Sequence, residues 1–403
     1  MAAPRIAVLH QGCVPTYRRA FFDRLGRITS REYIVFHGEA EPGSGVVAAS
    51  PPFSFTNVRV HNRFLRFLGR TLVYQPVLRP IMAGDFDALV IGHEVKYLAN
   101  LLLLLQFRLR GKPVLLWGFG RNLDIDAKSR SWLGARVGRL IAHLQRGMMF
   151  AATDFMAYTD SGAEHAAAAG MGRERIAVLN NTIDISEEIA AHARAQAVDR
   201  RMLRQKFGIA PESVVLLYVG RLTSGKKVDR LVEAARAVRS RHGAPVEVVV
   251  VGGGPEEARL IALAGGEGWC HFLGPIHATE PLSRLFRISD ALVIPGYVGL
   301  AVNHAFAHGV PVITCQSDVH SPEIDYVVHD QNGLIVASLE DLGEGIRGFA
   351  QSPDLRTRLA AGALATREKL DLQRMVEAFD GGVARAIARS MSPRGGDAKA
   401  RTA

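Results

Sequence analysis

The chain has 403 residues, more than one ordinary core accommodates and enough for two domains. Apolar residues make up 48% and the mean hydropathy is +0.08, which fits a folded globular protein and excludes a disordered chain or a bundle of membrane spans. The net charge of +10 is uneven: residues 1–185 hold 23 Lys and Arg against 14 Asp and Glu, whereas the remainder is nearly balanced.

The N-terminus enters a strand-like Ile6-Ala-Val-Leu9 at once, so no signal peptide is expected. Cys13, Cys270 and Cys315 have neither metal spacing nor a disulfide framework and suit a reducing cytoplasm. A basic half suits nucleic acid, an anionic membrane or an acidic substrate, and without a nucleic-acid-binding signature the first is set aside.

Strands are predicted over 6–9, 33–36, 88–91, 113–117, 155–158 and 176–179, then over 214–219, 246–251, 271–273, 291–294 and 311–314. Helical segments separate them, so two doubly wound parallel sheets are expected. The boundaries read as 1–190 for the first Rossmann-like domain and 191–370 for the second. Residues 371–389 read as a last helix and 390–403 as a disordered tail.

Within the first half, Gly12-Cys-Val-Pro-Thr-Tyr17 follows the first strand. Tyr17 and Arg18 stand at a helix start, where they suit an acceptor or a phosphate. Arg63, Arg66 and Arg70, interleaved with Phe64, Leu65 and Phe67, read as a basic helix face, either solvated or lying on an anionic bilayer. His93 ends one strand, and Trp117-Gly-Phe-Gly-Arg121 ends the next. The leucine run 99–105 is too short to span a bilayer and reads as a buried helix face.

The second half carries the sharper pattern. Val219 ends a strand, Gly220 permits a tight turn, and Arg221 and Lys226 follow before a helix near Val228. Gly252, Gly253 and Gly254 follow the next strand. Pro295-Gly-Tyr-Val-Gly-Leu300 then leads into a helix holding His304 and stopping at Gly309, and Glu323 comes later. Strand ends, glycines, helix N-termini and cations at one sheet edge make a site for a diphosphate. Each piece alone also has an ordinary reading, as a turn, a solvated cation, a core histidine or an exposed helix-start carboxylate.

These residues resemble the nucleotide-sugar-binding domain of family 4 GT-B glycosyltransferases. The resemblance covers nearly the whole chain and is strongest from about 176 to 336. It implies a GT-B fold: two Rossmann-like doubly wound α/β domains facing across a cleft, with the last helix returning to the first. It implies transfer of a hexose, with retention, from a nucleoside diphosphate sugar to a hydroxyl of a saccharide or lipid-linked glycan in cell-surface polysaccharide or glycoconjugate synthesis. UDP is the first expectation for the nucleotide and GDP the next. Arg221 and Lys226 are implied at the diphosphate and His93 beside the reacting sugar. Gly12, Gly220, Gly253, Gly254, Gly296, Tyr297, Val298, Gly299, Leu300, His304 and Glu323 are implied around the donor, and Tyr17, Arg18 and Arg121 on the acceptor side. No metal or other cofactor is expected. The expected location is the cytoplasm, at the inner face of the membrane.

The chain departs from the family at its Glu-x7-Glu motif. Alignment on Gly299-Leu300 and Gly309-Val-Pro-Val-Ile313 puts Gly296 at the first Glu and His304 at the second. A Pro-Gly-x-Val-Gly-Leu loop with a histidine at that second position is similar to a branch of family-4-like bacterial sequences. The alternative reading is a non-catalytic module of the same fold that binds a nucleotide sugar or scaffolds a glycan-assembly complex.

Overall fold

The computed structural model describes residues 2–10, 12–44, 46–67, 70–120, 132–317 and 319–392. The chain forms two compact units, one of residues 1–180 with 373–403, the other of residues 181–372.

The first unit begins β1 (Arg5–Leu9), α1 (Thr16–Leu25), β2 (Glu32–His37), β3 (Asn57–Arg59), β4 (Arg63–Phe67), β5 (Arg70–Tyr74), α2 (Leu78–Ala83), β6 (Ala88–Gly92) and α3 (Leu98–Leu109). It continues with β7 (Val114–Gly118), α4 (Trp132–Ala151), β8 (Asp154–Ala157), α5 (Asp160–Ala168) and β9 (Ile176–Val178). Its sheet runs β3-β2-β1-β6-β7-β8-β9, every pair parallel. The order reverses between β1 and β6, so the loops bearing Gly12 and His93 leave neighbouring strand ends.

The second unit holds α6 (Ser186–Gln196), α7 (Arg200–Lys206), β10 (Val214–Val219), α8 (Val228–His242), β11 (Val246–Val251), α9 (Glu257–Ala264), β12 (Cys270–Phe272), α10 (Thr279–Ile288) and β13 (Ala291–Ile294). It ends with α11 (Ala301–Ala307), β14 (Val312–Cys315), β15 (Gly333–Val336), α12 (Leu342–Gln351) and α13 (Pro353–Arg367). Its parallel sheet runs β12-β11-β10-β13-β14-β15 and reverses between β10 and β13. Strands such as Val246–Val251 are buried on both faces, which is why they read as apolar runs, here interrupted once by the buried Glu247.

The last helix, α14 (Leu372–Met391), belongs to the first unit. Its Asp380 takes a two-point ion pair from Arg31 and a 2.6 Å hydrogen bond from Tyr33. Phe379 packs edge-on against Phe21 and Trp117. Residues 393–403, most of the expected disordered tail, lie outside the described residues.

Two expectations are corrected. Arg63, Arg66 and Arg70 lie on strands and not on a helix. Strands β4 and β5 pair antiparallel, Phe64 opposite Val73 and Phe67 opposite Arg70, since phenylalanine, valine, threonine and tyrosine suit a pleated surface. The leucine-rich helix α3 is buried on one face only. Ala99, Asn100, Leu103, Leu104 and Phe107 point inward. Leu98, Leu102, Leu105 and Leu109 line the opposite face, exposed by 39, 52, 52 and 73%. Among the described residues no helix is long and apolar enough to cross a membrane.

Candidate functional site

Open α/β sheets bind ligands beyond the strand ends where the strand order reverses. In the second unit that place is the end of β10 and β13, where the Gly220–Lys226 and Pro295–Leu300 segments emerge. The two are joined through main chain, Gly296 N–H donating to the Lys226 carbonyl at 3.0 Å, and the loop after β11 joins the first of them, Leu222 N–H donating to the Gly253 carbonyl at 3.0 Å.

The glycines are explained mainly by this packing of loop on loop. A Cβ on Gly252, whose φ is +144°, would overlap the Gly220 carbonyl oxygen. One on Gly254 would overlap the Leu222 carbonyl, and one on Gly296 the Gly225 carbonyl, with the Lys226 carbonyl carbon at 2.7 Å. Gly299 differs: a Cβ there would meet only the Lys226 Nζ, at 3.9 Å, and the Ser321 Oγ, at 4.0 Å, so its surroundings are open.

Lys226 sits at the centre. It closes a short turn (Ser224–Lys226), and Lys227 follows in the left-handed region at φ +54° before α8. The Lys226 Nζ donates to the Tyr297 carbonyl at 2.8 Å and lies 4.3 Å from the Tyr297 ring centroid. Burial lowers its pKa from 10.5 to about 8, against the opposing pull of the Glu323 charge. A partly desolvated ammonium in a cage of main chain and aromatic ring is poised for an anion. Arg221 lies on the same loop with its side chain exposed, and its carbonyl accepts from the Tyr218 hydroxyl at 2.9 Å.

Glu323 is buried rather than an exposed helix-start carboxylate. It is 4% exposed and accepts from Asn181 Nδ2 at 3.0 Å. His304 lies one turn into α11, its Nδ1 3.1 Å from Glu188 Oε1 but out of line for a hydrogen bond. The N–H of Val298 is not open to a phosphate, because it donates to Nδ1 of the buried His320 at 3.1 Å. The His320 Nε2 in turn donates to the Cys315 carbonyl at 2.8 Å, which fixes the tautomer. Leu300 precedes α11 as its cap.

Glu188 and His320 were not among the sequence candidates. Glu188 reaches His304 from α6, far back in the chain, with no local motif to mark it. His320 stands three residues before Glu323 on the same loop, which is its only sequence signal.

In the first unit the candidates fall into different surroundings. Gly12 N–H donates to the His10 carbonyl at 3.0 Å, and Gly12 lies against the Tyr97 hydroxyl. Tyr17 is exposed. Arg18 is buried, its guanidinium 5.5 Å from the Trp117 ring and 5.9 Å from that of Tyr158. This is an interior stack, whereas the sequence suggested an exposed contact for an acceptor. His93 is also interior: it is 7% exposed, its Nε2 donates to the Gln145 carbonyl at 3.0 Å, and burial lowers its pKa. That is the setting of a structural histidine, which its place at a strand end does not reveal. Arg121 lies outside the described residues. No group of three or more His, Cys, Asp or Glu among the described residues is placed to hold a metal ion.

Residues 199–365 match the family described as glycosyl transferases group 1. A D-inositol 3-phosphate glycosyltransferase of Rhodococcus erythropolis is 34% identical over 195 residues, 45% of this chain and 43% of that protein. Its counterpart in Rhodococcus jostii is 26% identical over 277 residues, 58% of this chain and 60% of that one. The chain spans about half the length of the curated relatives it matches. Anabaena HepE in complex with UDP has a TM-score of 0.65 at 16% identity, covering 94% of this chain and 99% of that one. Sucrose-phosphate synthase from Thermosynechococcus elongatus has a TM-score of 0.66 at 14% identity, covering 96% and 100%. The fold is therefore GT-B, with one parallel-sheet α/β domain in each unit.

Proposed function

We propose that this protein is a retaining glycosyltransferase that moves a hexose from a nucleoside diphosphate sugar to a hydroxyl acceptor. The carrying observation is Lys226, caged at the strand-order reversal of the second sheet. As the bond from the anomeric carbon to the β-phosphate oxygen breaks, negative charge grows on the diphosphate. Lys226 meets that charge from the cage and Arg221 from the exposed loop. The acceptor oxygen bonds to the anomeric carbon on the face the diphosphate leaves, and the acceptor proton passes to the departing phosphate. No metal is required in this scheme, because the cations belong to the chain.

Uridine is the first choice of nucleotide and guanosine the next; the UDP bound by the fold neighbour HepE supports this order. The open space beside Gly299 suits the diphosphate, and His304 with Glu188 suits the ribose hydroxyls. The proposed acceptor is a saccharide or lipid-linked glycan, and the first unit supports a membrane-bound one. Helices α3 and α4 contain no Asp or Glu. Beside the α3 leucine face, α4 exposes Leu140, Phe150, Arg139 and Arg146. Exposed leucines on one helix, with cations and apolar side chains exposed on its neighbour, suit the surface of an anionic bilayer, hence the proposed place at the inner face of the cell membrane. The family's reading as cell-surface polysaccharide or glycoconjugate synthesis fits that location.

The glycine at position 296, where the family has a carboxylate, favours a second reading, a non-catalytic module that binds the nucleotide sugar. One experiment separates the two: release of nucleoside diphosphate from UDP-, GDP-, dTDP- and ADP-sugars with saccharide and lipid-linked acceptors. Release from one donor, abolished by Lys226→Ala, establishes the transferase. Binding without release establishes the module. Sedimentation with anionic vesicles, reduced at least tenfold by Leu102→Glu with Leu105→Glu, tests the membrane contact; equal sedimentation of the variant overturns it.

A further inference from the structure

The second unit has a cavity of about 350 Å³ at the edge of its sheet opposite the donor loops. Ser289 and Asp290 line it just before β13 begins, and Val310 and Pro311 line it just before β14. A four-residue strand separates it from the donor edge, about 13 Å at the usual rise.

Three arginines line the cavity: Arg200, Arg287 and Arg356. Its one carboxylate, Asp290, is already engaged. Oδ1 accepts from Arg200 Nη2 at 2.8 Å, and Oδ2 accepts from Arg204 Nη2 and the Val215 N–H, both at 2.8 Å. Arg356 gives one nitrogen to the Phe349 and Ala350 carbonyls. The Arg287 guanidinium makes no hydrogen bond or ion pair among the described residues, and its Nε is buried without a partner. The Nε of Arg200 is buried and unpaired as well. Asp199, the carboxylate whose charge acts on Arg287, instead caps α7 by accepting from the Arg201 N–H at 2.7 Å.

The wall also holds an acceptor. His308 is 5% exposed and stacks on Phe286 with ring centroids 4.6 Å apart. Its Nδ1 donates to the His304 carbonyl at 2.8 Å, so the neutral ring leaves an acceptor lone pair on Nε2, which is buried and unpartnered. Buried unpaired polar groups are rare in folded proteins and mark a missing partner.

We propose that this cavity is a second binding site, for a phosphate monoester that carries hydroxyl groups, such as a hexose phosphate. Arg287, Arg200 and Arg356 hold the phosphate, and His308 Nε2 accepts a hydroxyl. Burial keeps His308 neutral, with its pKa lowered to about 4, so it accepts at physiological pH.

The test is calorimetric titration of the full chain with glucose 6-phosphate and with inorganic phosphate, alone and with UDP saturating the donor loops. The expected result is saturable binding, at least tenfold tighter for the sugar phosphate and unchanged by UDP. Arg287→Gln and, separately, Arg356→Gln weaken it at least tenfold while UDP affinity stays the same. His308→Phe removes the preference over inorganic phosphate. Binding that UDP displaces, binding as tight in either arginine variant as in the native protein, or no binding at millimolar ligand overturns the proposal.

Discussion

The lowered pKa of Lys226 makes donor affinity depend on pH in a calculable way. The free protein binds a proton at Lys226 with a pKa of about 8. A bound diphosphate favours the ammonium and returns its pKa to the ordinary value or above, so the dissociation constant scales as 1 + 10^(pH − 8). The factor is about 1.3 at pH 7.5 and about 11 at pH 9, an eightfold weakening or about 1.3 kcal/mol. Titration of UDP across that range tests it, with proton uptake read from the dependence of enthalpy on the buffer. Uptake is expected to be about half a proton at pH 8 and about 0.9 at pH 9. Lys226→Arg holds a permanent charge, so its affinity should stay level. A flat profile in the native protein, or the same slope in the arginine variant, refutes the reasoning.

The same residue costs the empty protein stability. Its pKa is lower folded than unfolded, so the penalty is full below about pH 8 and fades as pH rises toward 10.5. Lys226→Met should therefore stabilise the unliganded protein at pH 7 by about 1–2 kcal/mol while abolishing diphosphate binding, with the gain gone near pH 10.5 in urea unfolding. Gly252→Ala should lose about 3 kcal/mol or more, since its Cβ overlaps the Gly220 carbonyl, whereas Gly266→Ala, left-handed but in open space, should lose only about 1 kcal/mol. Denaturant midpoints compare the two, and equal losses would deny the loop contact. His10 has its pKa lowered to about 3 by burial, then by Arg18 and His37. The folded state keeps it neutral while the unfolded chain takes up a proton below pH 6.5, so stability falls as pH falls. His10→Asn should remove about 1.5 kcal/mol of the loss between pH 6.5 and 5; an unchanged acid limb would contradict it.

Sequence reached the two sheets because their strands are buried on both faces and leave apolar runs such as Val248-Val-Val-Val251. It missed Asn57–Arg59, a short edge strand, and Gly333–Val336, whose strand begins on a glycine. The arginine spacing at 63, 66 and 70 imitates a helix, and only the cross-strand partners Val73 and Tyr74 show otherwise. An all-leucine stretch like that of α3 has no polar side to say which face turns outward. Lys226 was legible because a glycine turn and a helix start bracket it. Its cage was not, because Tyr297 and Glu323 arrive from distant loops. His93 and Arg18 sat at plausible strand and helix ends, but burial is a property of the whole fold and no local pattern carries it.

The loops after β10, β11 and β13 touch one another main chain to main chain, through Gly220 with Gly252, Leu222 with Gly254, and Gly225 with Gly296. A joint made of backbone has no side chains to exchange. The frame of the pocket can therefore stay fixed while residues such as Arg221, Tyr297 and His304 are replaced one at a time. A change of nucleotide or sugar preference by substitution at those positions need not disturb the scaffold, whereas any residue with a Cβ at Gly252 or Gly296 forces its loop away from the one after β10. Retuning of this site is open at its side chains and closed at its glycines.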